Sequence, residues 1–503
     1  MTIEISSLTN IPKTQDAKNG INITIIISIL IFFSYSYYHF IVGDSYDFFI
    51  ISTLLMTVHA VFTIPSFNQN IIITFRYFLI FLPVYATSIL WWLSQGVIRT
   101  HYLGYEYQTL STTTILVTGG ALSVFGATFG WYLGSLRIRK NLLKTQNALY
   151  FIRSQRNLLA TVGCIGSIFF GILYVFASGG ILAAGKAYSS GEAVGIGVKF
   201  AVFNIFQIFF ASLGVISLQV INSKEKWIIY SLLVLGFFMG FLVGSRADYM
   251  LPILILSIYI LSIIERFRIT NVYYRLLMLK AGLKLSRNIL PFLVLAIIVG
   301  YFVSTAIATW RYNPSLDIFS LLIENVVNFR DLLFPTIKGH QVLWMETACH
   351  MIGGFYGMIA QRELAISDFL KGESYLHMIP RSLPGFIRPS EFDKLDLAWH
   401  TGVNGTIMSQ GGIFEPAEAY ANFGVLGCFF VSAIISYFFT WLLKKSFKLN
   451  SIFFMAWYLT CGFMLLRGVW YQNFSFVRIA TVMLVFYILL FVFKKSWINK
   501  KIS

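Results

Sequence analysis

The chain has 503 residues, of which 57% are hydrophobic and only 12% are charged, and its formal net charge is +17. Soluble domains carry about 25% charged residues, so this composition excludes an ordinary soluble domain and favours lipid as the surrounding solvent. Most of the 38 Lys and Arg residues fall in short segments that the predicted spans would leave on one side of a membrane. Membrane orientation and contact with anionic lipid therefore account for the positive charge, and no nucleic-acid partner is predicted.

The chain opens with a polar stretch and continues with apolar runs. Residues 1–20 and the long run after them do not have the form of a cleavable signal, so we expect 1–20 to be a cytoplasmic tail. Runs of about 20 apolar residues match the thickness of a bilayer. Twelve such runs lie near 21–43, 47–66, 71–94, 111–134, 158–180, 200–221, 227–244, 248–264, 289–310, 418–443, 451–466 and 474–493.

These runs predict an all-α polytopic membrane protein with about twelve transmembrane helices. Spans one to nine occupy 21–310 and spans ten to twelve occupy 417–493, and a basic tail, 494–503, closes the chain. Both termini are expected in the cytoplasm, because the basic segments mark that face.

One long loop, residues 311–416, separates the ninth and tenth predicted spans on the opposite, non-cytoplasmic side. Two stretches in it, 316–334 and 341–364, have apolar residues at three- and four-residue spacing, which indicates helices. We expect both helices to lie flat in the membrane interface. A loop of this length in a compact protein is usually functional.

The stretch Ser-Arg-Ala-Asp at 245–248 stands where the eighth span begins. Ser245 and Asp248 form a capping box, but Arg246 remains to be explained because the helix dipole disfavours a cation there. An anion bound at this point would be stabilised by the dipole, the free N–H groups and the guanidinium together. The alternative is an arginine that anchors the helix at the interface.

Other arginines on the same predicted face can also be either anchors or ligands. They are Arg311, Arg330, Arg381, Arg388, Arg467 and Arg478. Together with Arg246 they predict a positive pocket for a multiply charged anion. A diphosphate fits, because the planar fork of arginine binds phosphate oxygens two at a time.

Acid–base candidates lie where the loop enters the tenth span. Glu415 and Glu418 are three residues apart and therefore share one helical face. For Glu418 a general base and a carboxylate that satisfies the helix dipole both remain open, whereas for Glu415 the dipole role is favoured. His400 is a third candidate base, against the commoner role of a hydrogen-bonded loop histidine.

The surroundings of these charged groups are aromatic and offer no metal site. Aromatic residues there can stack on sugar rings or pack in the bundle; they are Tyr375, Trp399, Tyr420, Trp470 and Tyr471. The loop histidines lack a metal-ligand spacing such as HxxxH, so no metal is predicted. No glycine-rich phosphate loop is present, and no cofactor is predicted.

Three segments resemble the Wzy-type O-antigen polymerases, the bacterial oligosaccharide repeat-unit polymerases. They are GSRADYMLPILIL at 244–256, IPRSLPGFIRPSEFDK at 379–394 and GGIFEPAEAYANFGVLG at 411–427. The likeness covers the general plan of many spans, one long outer loop late in the chain, and a G-x-x-G turn, Gly424 to Gly427, that enters the next span.

The resemblance implies a metal-independent, GT-C-like glycosyltransferase with its active site at the periplasmic face of the bacterial inner membrane. In such enzymes a hydroxyl of the acceptor sugar attacks the anomeric carbon of the growing chain, and lipid diphosphate leaves. The implied partners are undecaprenyl-diphosphate-linked glycans, membrane lipid and a chain-length regulator protein. Carried over by motif, Arg246, Arg381, Arg388 and Glu418 are the leading site residues.

Three other functions compete with this one. A transporter or flippase is the main alternative, since twelve spans is a common transporter count; transporters often have internal repeats and broken helices, and the sequence shows neither clearly. An O-antigen ligase would place a histidine eleven residues before the first glycine of the turn, where this chain has Ile413. A non-catalytic scaffold would have no need of the arginines.

Overall fold

A computed structural model of the chain describes residues 76, 79–80, 84, 110–135, 156–177, 179–180, 201–217, 302–303, 306, 310, 315–328, 336–337, 340–341, 355, 358–359, 369–381, 414–448, 452–471 and 478–489. Within these ranges the regular structure is helical, apart from one short strand pair. The helices are α1 (Leu110–Ser135), α2 (Arg156–Ala177), α3 (Ala201–Ser217), α4 (Ile318–Val327), α5 (Glu373–Arg381), α6 (Glu415–Lys448), α7 (Ile452–Tyr471) and α8 (Arg478–Leu489). The strands, β1 (Thr336–Ile337) and β2 (His340–Gln341), pair antiparallel with Thr336 opposite Gln341.

Among the described helices, three are long and apolar enough to cross a membrane. They contain the segments Ile115–Gly134, Leu158–Ala177 and Glu415–Leu442, and they coincide with the fourth, fifth and tenth predicted spans. The shorter helices α3, α7 and α8 coincide with the sixth, eleventh and twelfth. This fits the membrane protein that the composition predicted. The first, second, seventh and eighth predicted spans lie outside the described residues.

The core of the described bundle is a close contact between α1 and α6. Three glycines of α1, spaced four residues apart, lie on the side of the helix that contacts α6; they are Gly126, Gly130 and Gly134. A Cβ at Gly126 would stand 2.1 Å from the carbonyl oxygen of Phe429, and a Cβ at Gly130 would stand 2.0 Å from that of Ala433. A Cβ at Gly134 would come within 2.7 Å of Thr440 Cβ. The glycines therefore let two helix backbones touch, as small residues do in membrane bundles.

A second close pair is α2 with α3. A Cβ at Gly163 would stand 2.4 Å from the backbone nitrogen of Gly214, so these backbones also touch. Beside this contact the ring of Phe170 stacks on that of Phe210, with centroids 5.3 Å apart and planes 11° apart. The small residues set the distance between the helices, and the rings fill the space next to it.

The outer face of α2 is apolar and exposed. Its exposed large side chains recur at helical spacing; they are Leu158, Val162, Ile165, Phe169, Ile172 and Phe176. A contiguous apolar stripe of this kind on a water-soluble surface would drive association, whereas lipid tails solvate it without cost. This surface agrees with the length and hydropathy of α2 in assigning it to the membrane.

Helix α4 packs back along the residues that precede it. Leu321 is buried against Ala306 and Trp310, and Asn325 Nδ2 donates to the carbonyl oxygen of Phe302 at 3.3 Å. As α4 runs from Leu321 to Asn325, its contacts move back along the chain, from 306 and 310 to 302. The two segments are therefore antiparallel. The helix thus packs against the end of the ninth predicted span, and exposes Phe319, Ile323, Val326 and Val327 on its other side.

Asp317 begins α4 as its N-cap. Its carboxylate accepts hydrogen bonds from the backbone nitrogen and from Oγ of Ser320, each at 2.9 Å. These bonds hold the pKa of Asp317 below its ordinary value, the backbone bond contributing most. They also satisfy one of the N–H groups that a helix start leaves without a partner.

The second predicted interface stretch, 341–364, is placed differently from the prediction at the positions described. Phe355, Met358 and Ile359 are at most 3% exposed and belong to the main core. Phe355 packs where α1 and α6 meet, since a Cβ at Gly119 would stand 3.0 Å from its Cζ. The prediction that this stretch lies flat in the interface is wrong at these residues, because its apolar face is covered by the bundle.

Candidate functional site

The site is built on a break in α6 at Gly424. This residue has φ 71° and ψ −163°, a backbone conformation that is almost restricted to glycine. It divides α6 into a short arm, 415–423, and a long arm, 425–448. The predicted tenth span, 418–443, ran across this break, so its first residues belong to the short arm.

The two arms lie antiparallel and form a hairpin. Ser432 Oγ donates to Glu415 Oε1 at 3.3 Å, and Cys428 Sγ lies 3.3 Å from the carbonyl oxygen of Pro416. Residues at the start of the short arm thus contact the first two turns of the long arm, and Gly424 is the tip between them. The sequence showed no broken helix clearly, whereas the structure has one at this position.

Backbone carbonyls freed by the break are satisfied by residues from the middle of the long predicted loop. In an unbroken helix the carbonyl oxygens of Ala421 and Asn422 would accept from the amides four residues later. They accept instead from Leu370 N at 3.0 Å and from Lys371 N at 3.1 Å. Residues 369–374, which we call the latch segment, therefore close the tip of the hairpin with main-chain hydrogen bonds.

A polar cluster lies beneath the latch segment, with Glu418 at its centre. Glu418 is fully buried, and its Oε1 accepts from Ser374 Oγ at 3.1 Å. Asn422 Nδ2 donates to Ser374 Oγ at 2.7 Å and to the carbonyl oxygen of Glu418 at 2.8 Å. Asn422 Oδ1 accepts from Gly372 N at 3.0 Å. The carboxylate is thus held in one position by groups from the short arm and from the latch segment.

The second carboxylate, Glu415, forms a buried ion pair with Arg76. Nε of Arg76 donates to Glu415 Oε2 at 3.2 Å, and Nη2 donates to Oε1. The same guanidinium donates to the carbonyl oxygen and to Oγ of Ser432, at 3.3 and 3.0 Å, and to Ser436 Oγ. Such a bidentate pair, with the remaining donors also bonded, is the arrangement in which a buried charge is tolerated.

Arg76 did not figure among the predicted site residues, although the sequence carried a signal for it. It is the single charged residue between 71 and 94, the third predicted span. A charge inside an apolar span is costly and is by default a candidate for function. Its partner, 339 residues away along the chain, could not be deduced from local pattern.

The predicted sugar-stacking residue Tyr420 is packed in the core. It is 4% exposed, and its ring makes edge contacts with Phe355 at 5.8 Å and Phe369 at 6.4 Å between centroids. This packing does not support a role in sugar stacking. Tyr375, the residue after the latch segment, stacks on Phe423 at the tip, with centroids 6.3 Å apart.

The predicted arginine pocket is described only at scattered points. Arg381 is the last residue of α5, which begins within the latch segment, Arg467 belongs to α7, and Arg478 is buried at the start of α8. Trp470 and Tyr471 are the last residues of α7. The remaining predicted residues lie outside the described part of the chain; they are Arg246, Arg311, Arg330, Arg388, Trp399 and His400.

Comparison with protein-family models, with curated proteins and with solved structures found no match to this chain. Function therefore has to be argued from the chemistry of the site, since a fold alone does not specify it. The described part of the site offers two carboxylates on the short arm. One is paired with an arginine, and the other accepts from a hydroxyl that an amide in turn binds.

Proposed function

We propose that the chain is a membrane glycosyltransferase that polymerises lipid-diphosphate-linked oligosaccharide units, with Glu418 as the general base. The proposal includes the twelve-span, GT-C-like architecture and a site at the periplasmic face of the bacterial inner membrane. The observation that carries it is the fixed carboxylate of Glu418, placed where the long loop meets the hairpin. Its support in the sequence is the resemblance of 411–427 to the Wzy-type polymerases.

The reaction requires a general base and positive charge near the leaving group from the protein. The acceptor hydroxyl transfers its proton to the carboxylate of Glu418 as its oxygen bonds to the anomeric carbon of the donor. The bond from that carbon to the diphosphate oxygen breaks, and the lipid diphosphate leaves with the bonding electrons. Fixed positive charge near the leaving group stabilises this step, and the predicted arginines Arg246, Arg381 and Arg388 are the residues that would supply it.

The burial of Glu418 adds a condition to this mechanism. A hydroxyl must come within about 3 Å of a base that accepts its proton. Glu418 is covered on the side of Ser374, so the acceptor reaches the carboxylate when the latch segment moves aside. In this proposal the hydroxyl of the acceptor sugar then replaces the hydroxyl of Ser374 as the hydrogen-bond donor.

The test is elongation by the purified protein in lipid nanodiscs, supplied with an undecaprenyl-diphosphate-linked repeat unit and no nucleotide or metal. We expect a ladder of longer glycans. Replacing Glu418 with Gln keeps the size and the acceptor oxygen for Ser374, but removes the base, and should lower the rate about 10²–10⁴-fold. The matched control is Glu373→Gln, since Glu373 is an exposed carboxylate within the latch segment, next to Ser374.

Two results would overturn the assignment. A Glu418→Gln protein that elongates at the wild-type rate would remove Glu418 as the base. A folded wild-type protein that leaves the glycan at one repeat unit would remove the polymerase function itself.

A second function, transport of lipid-linked glycans, is favoured by one observation, the broken helix at Gly424. Interrupted helices often form the substrate sites of secondary transporters. The same protein in sealed vesicles with a fluorescent lipid-linked glycan distinguishes the two functions. Movement of the label between leaflets without elongation would favour the transporter, whereas elongation without movement would favour the polymerase.

A further inference from the structure

Arg76 contacts both arms of the hairpin through different atoms of one guanidinium. Nε and Nη2 bind the two carboxylate oxygens of Glu415, on the short arm. Nη1 and Nη2 bind Ser432 and Ser436, on the long arm. One side chain from a distant part of the sequence therefore joins two segments that the break at Gly424 separates.

The short arm depends on such contacts for its position. It is shorter than the roughly 12–15 residues that an isolated helix needs to be stable in water. The break at Gly424 interrupts the hydrogen-bond ladder that would otherwise fix it to the long arm. Its tip is held by the latch segment, and its other end is held by Arg76.

We propose that Arg76 is a positioning residue, whose planar fork fixes the short arm against the long arm and so sets the position of the Glu418 carboxylate. Glu415 and Glu418 are three residues apart and lie on one helical face. A shift of Glu415 therefore carries Glu418 with it, away from Ser374. The consequence for catalysis rests on the proposed function, whereas the consequence for the hairpin does not.

The competing explanation is that Arg76 only neutralises the charge of Glu415. A lysine would do that equally well, because its ammonium group is a point charge with the same sign. Lysine cannot bind both carboxylate oxygens and both serines in fixed directions, as the guanidinium does. The Arg76→Lys variant therefore separates a positioning role from a purely neutralising one.

Hydrogen–deuterium exchange of the full-length protein in nanodiscs measures how firmly the short arm is held. In Arg76→Lys we expect the amides of 417–423 to exchange at least about tenfold faster than in the wild type, because the short arm opens locally. The amides of 110–135 should be unchanged and serve as the internal control. Exchange of the short arm within about twofold of the wild type would overturn the proposal.

A second variant keeps the test valid if lysine prevents folding. Arg76→Met combined with Glu415→Leu removes both charges at similar volume, and such replacements of buried ion pairs are usually tolerated. The protein should fold, and the short arm should still exchange faster. Normal protection of the short arm in this double variant would also overturn the proposal.

Elongation assays measure how the loss of the Arg76 guanidinium affects catalysis. For Arg76→Lys we expect kcat to fall about 10²-fold, the loss typical of a reacting group displaced by about 1 Å, with KM for the lipid-linked unit unchanged. Unchanged kcat despite faster exchange would overturn the link to Glu418. If the wild type does not elongate glycans at all, the proposed function fails, and the exchange result still decides the role of Arg76.

Discussion

Replacing Gly130 with Ala tests the contact that holds the described bundle together. The added Cβ would stand 2.0 Å from the carbonyl oxygen of Ala433, whereas ordinary van der Waals contact begins at 3.4 Å. The two helices must therefore part by 3.4 − 2.0 = 1.4 Å at this point. A gap of 0.5–1 Å already forfeits about a quarter to a half of the dispersion energy of each atom pair.

The cost of this change can be bracketed. Overpacking in a well-packed core costs about 1–3 kcal/mol. Because the obstructing atom belongs to the backbone of α6 and cannot rotate away, we expect Gly130→Ala to lie near the upper end, at about 3 kcal/mol of unfolding free energy. The gain in helix propensity from Gly to Ala, about 1 kcal/mol in an exposed helix, opposes this loss and makes the control essential.

Gly119→Ala is the matched control, since it makes the same change in the same helix. Its Cβ would meet the ends of two side chains, Phe355 Cζ at 3.0 Å and Cys428 Sγ at 3.2 Å. Shifts of a few tenths of an ångström relieve these contacts, so the variant should lose less than about 1 kcal/mol. The assay is unfolding by SDS in mixed micelles, followed by far-UV circular dichroism. Equal stability of the two variants would refute the argument that backbone contact at Gly130 sets the helix distance.

Two further predictions concern the hairpin tip and the loop. At Gly424 an alanine would have to adopt φ 71°, with its Cβ 3.2 Å from Phe369 Cζ. Gly424→Ala should therefore lower the unfolding free energy by about 1–3 kcal/mol and speed exchange of the amides of 370–371. Stability and exchange equal to those of the wild type would contradict the assigned backbone strain. At Asp317 the lowered pKa means that the cap stabilises α4 above the ordinary pKa of aspartate, about 3.9, and that this contribution is lost as the pH falls through the folded-state pKa. Protection of the amides of 318–327, corrected for intrinsic exchange rates, should therefore fall in acid for the wild type. It should not fall for Asp317→Asn, because asparagine caps a helix without titrating. Identical acid profiles would show that the cap is not responsible for the loss of protection.

The helices themselves were predictable from apolar run length. The runs at 111–134 and 158–180 correspond closely to α1 and α2, because a segment that crosses lipid must satisfy its own backbone hydrogen bonds and can do so only as a helix. The G-x-x-G turn at Gly424 was visible in the sequence as well. Its consequence, a hairpin, was not, since hydropathy does not register a change of direction within an apolar run.

The site was predictable in part. Glu415 and Glu418 were recognised as neighbours on one helical face, and both lie in the buried short arm. Their separate environments depend on contacts with Arg76 and Ser374, which are distant in sequence and join the site through tertiary packing. Arg76 could have been singled out as a lone charge in a span, but its partner follows from three-dimensional structure alone.

The ion pair between Arg76 and Glu415 has a consequence for the biogenesis of the protein. Chains emerge from the ribosome at roughly 5–20 residues per second, and 339 residues separate the two partners, so Glu415 is synthesised about 17–70 s after Arg76. During that interval the guanidinium of Arg76 lacks the carboxylate that it binds in the folded chain. The ion pair therefore forms only when the last fifth of the polypeptide is synthesised.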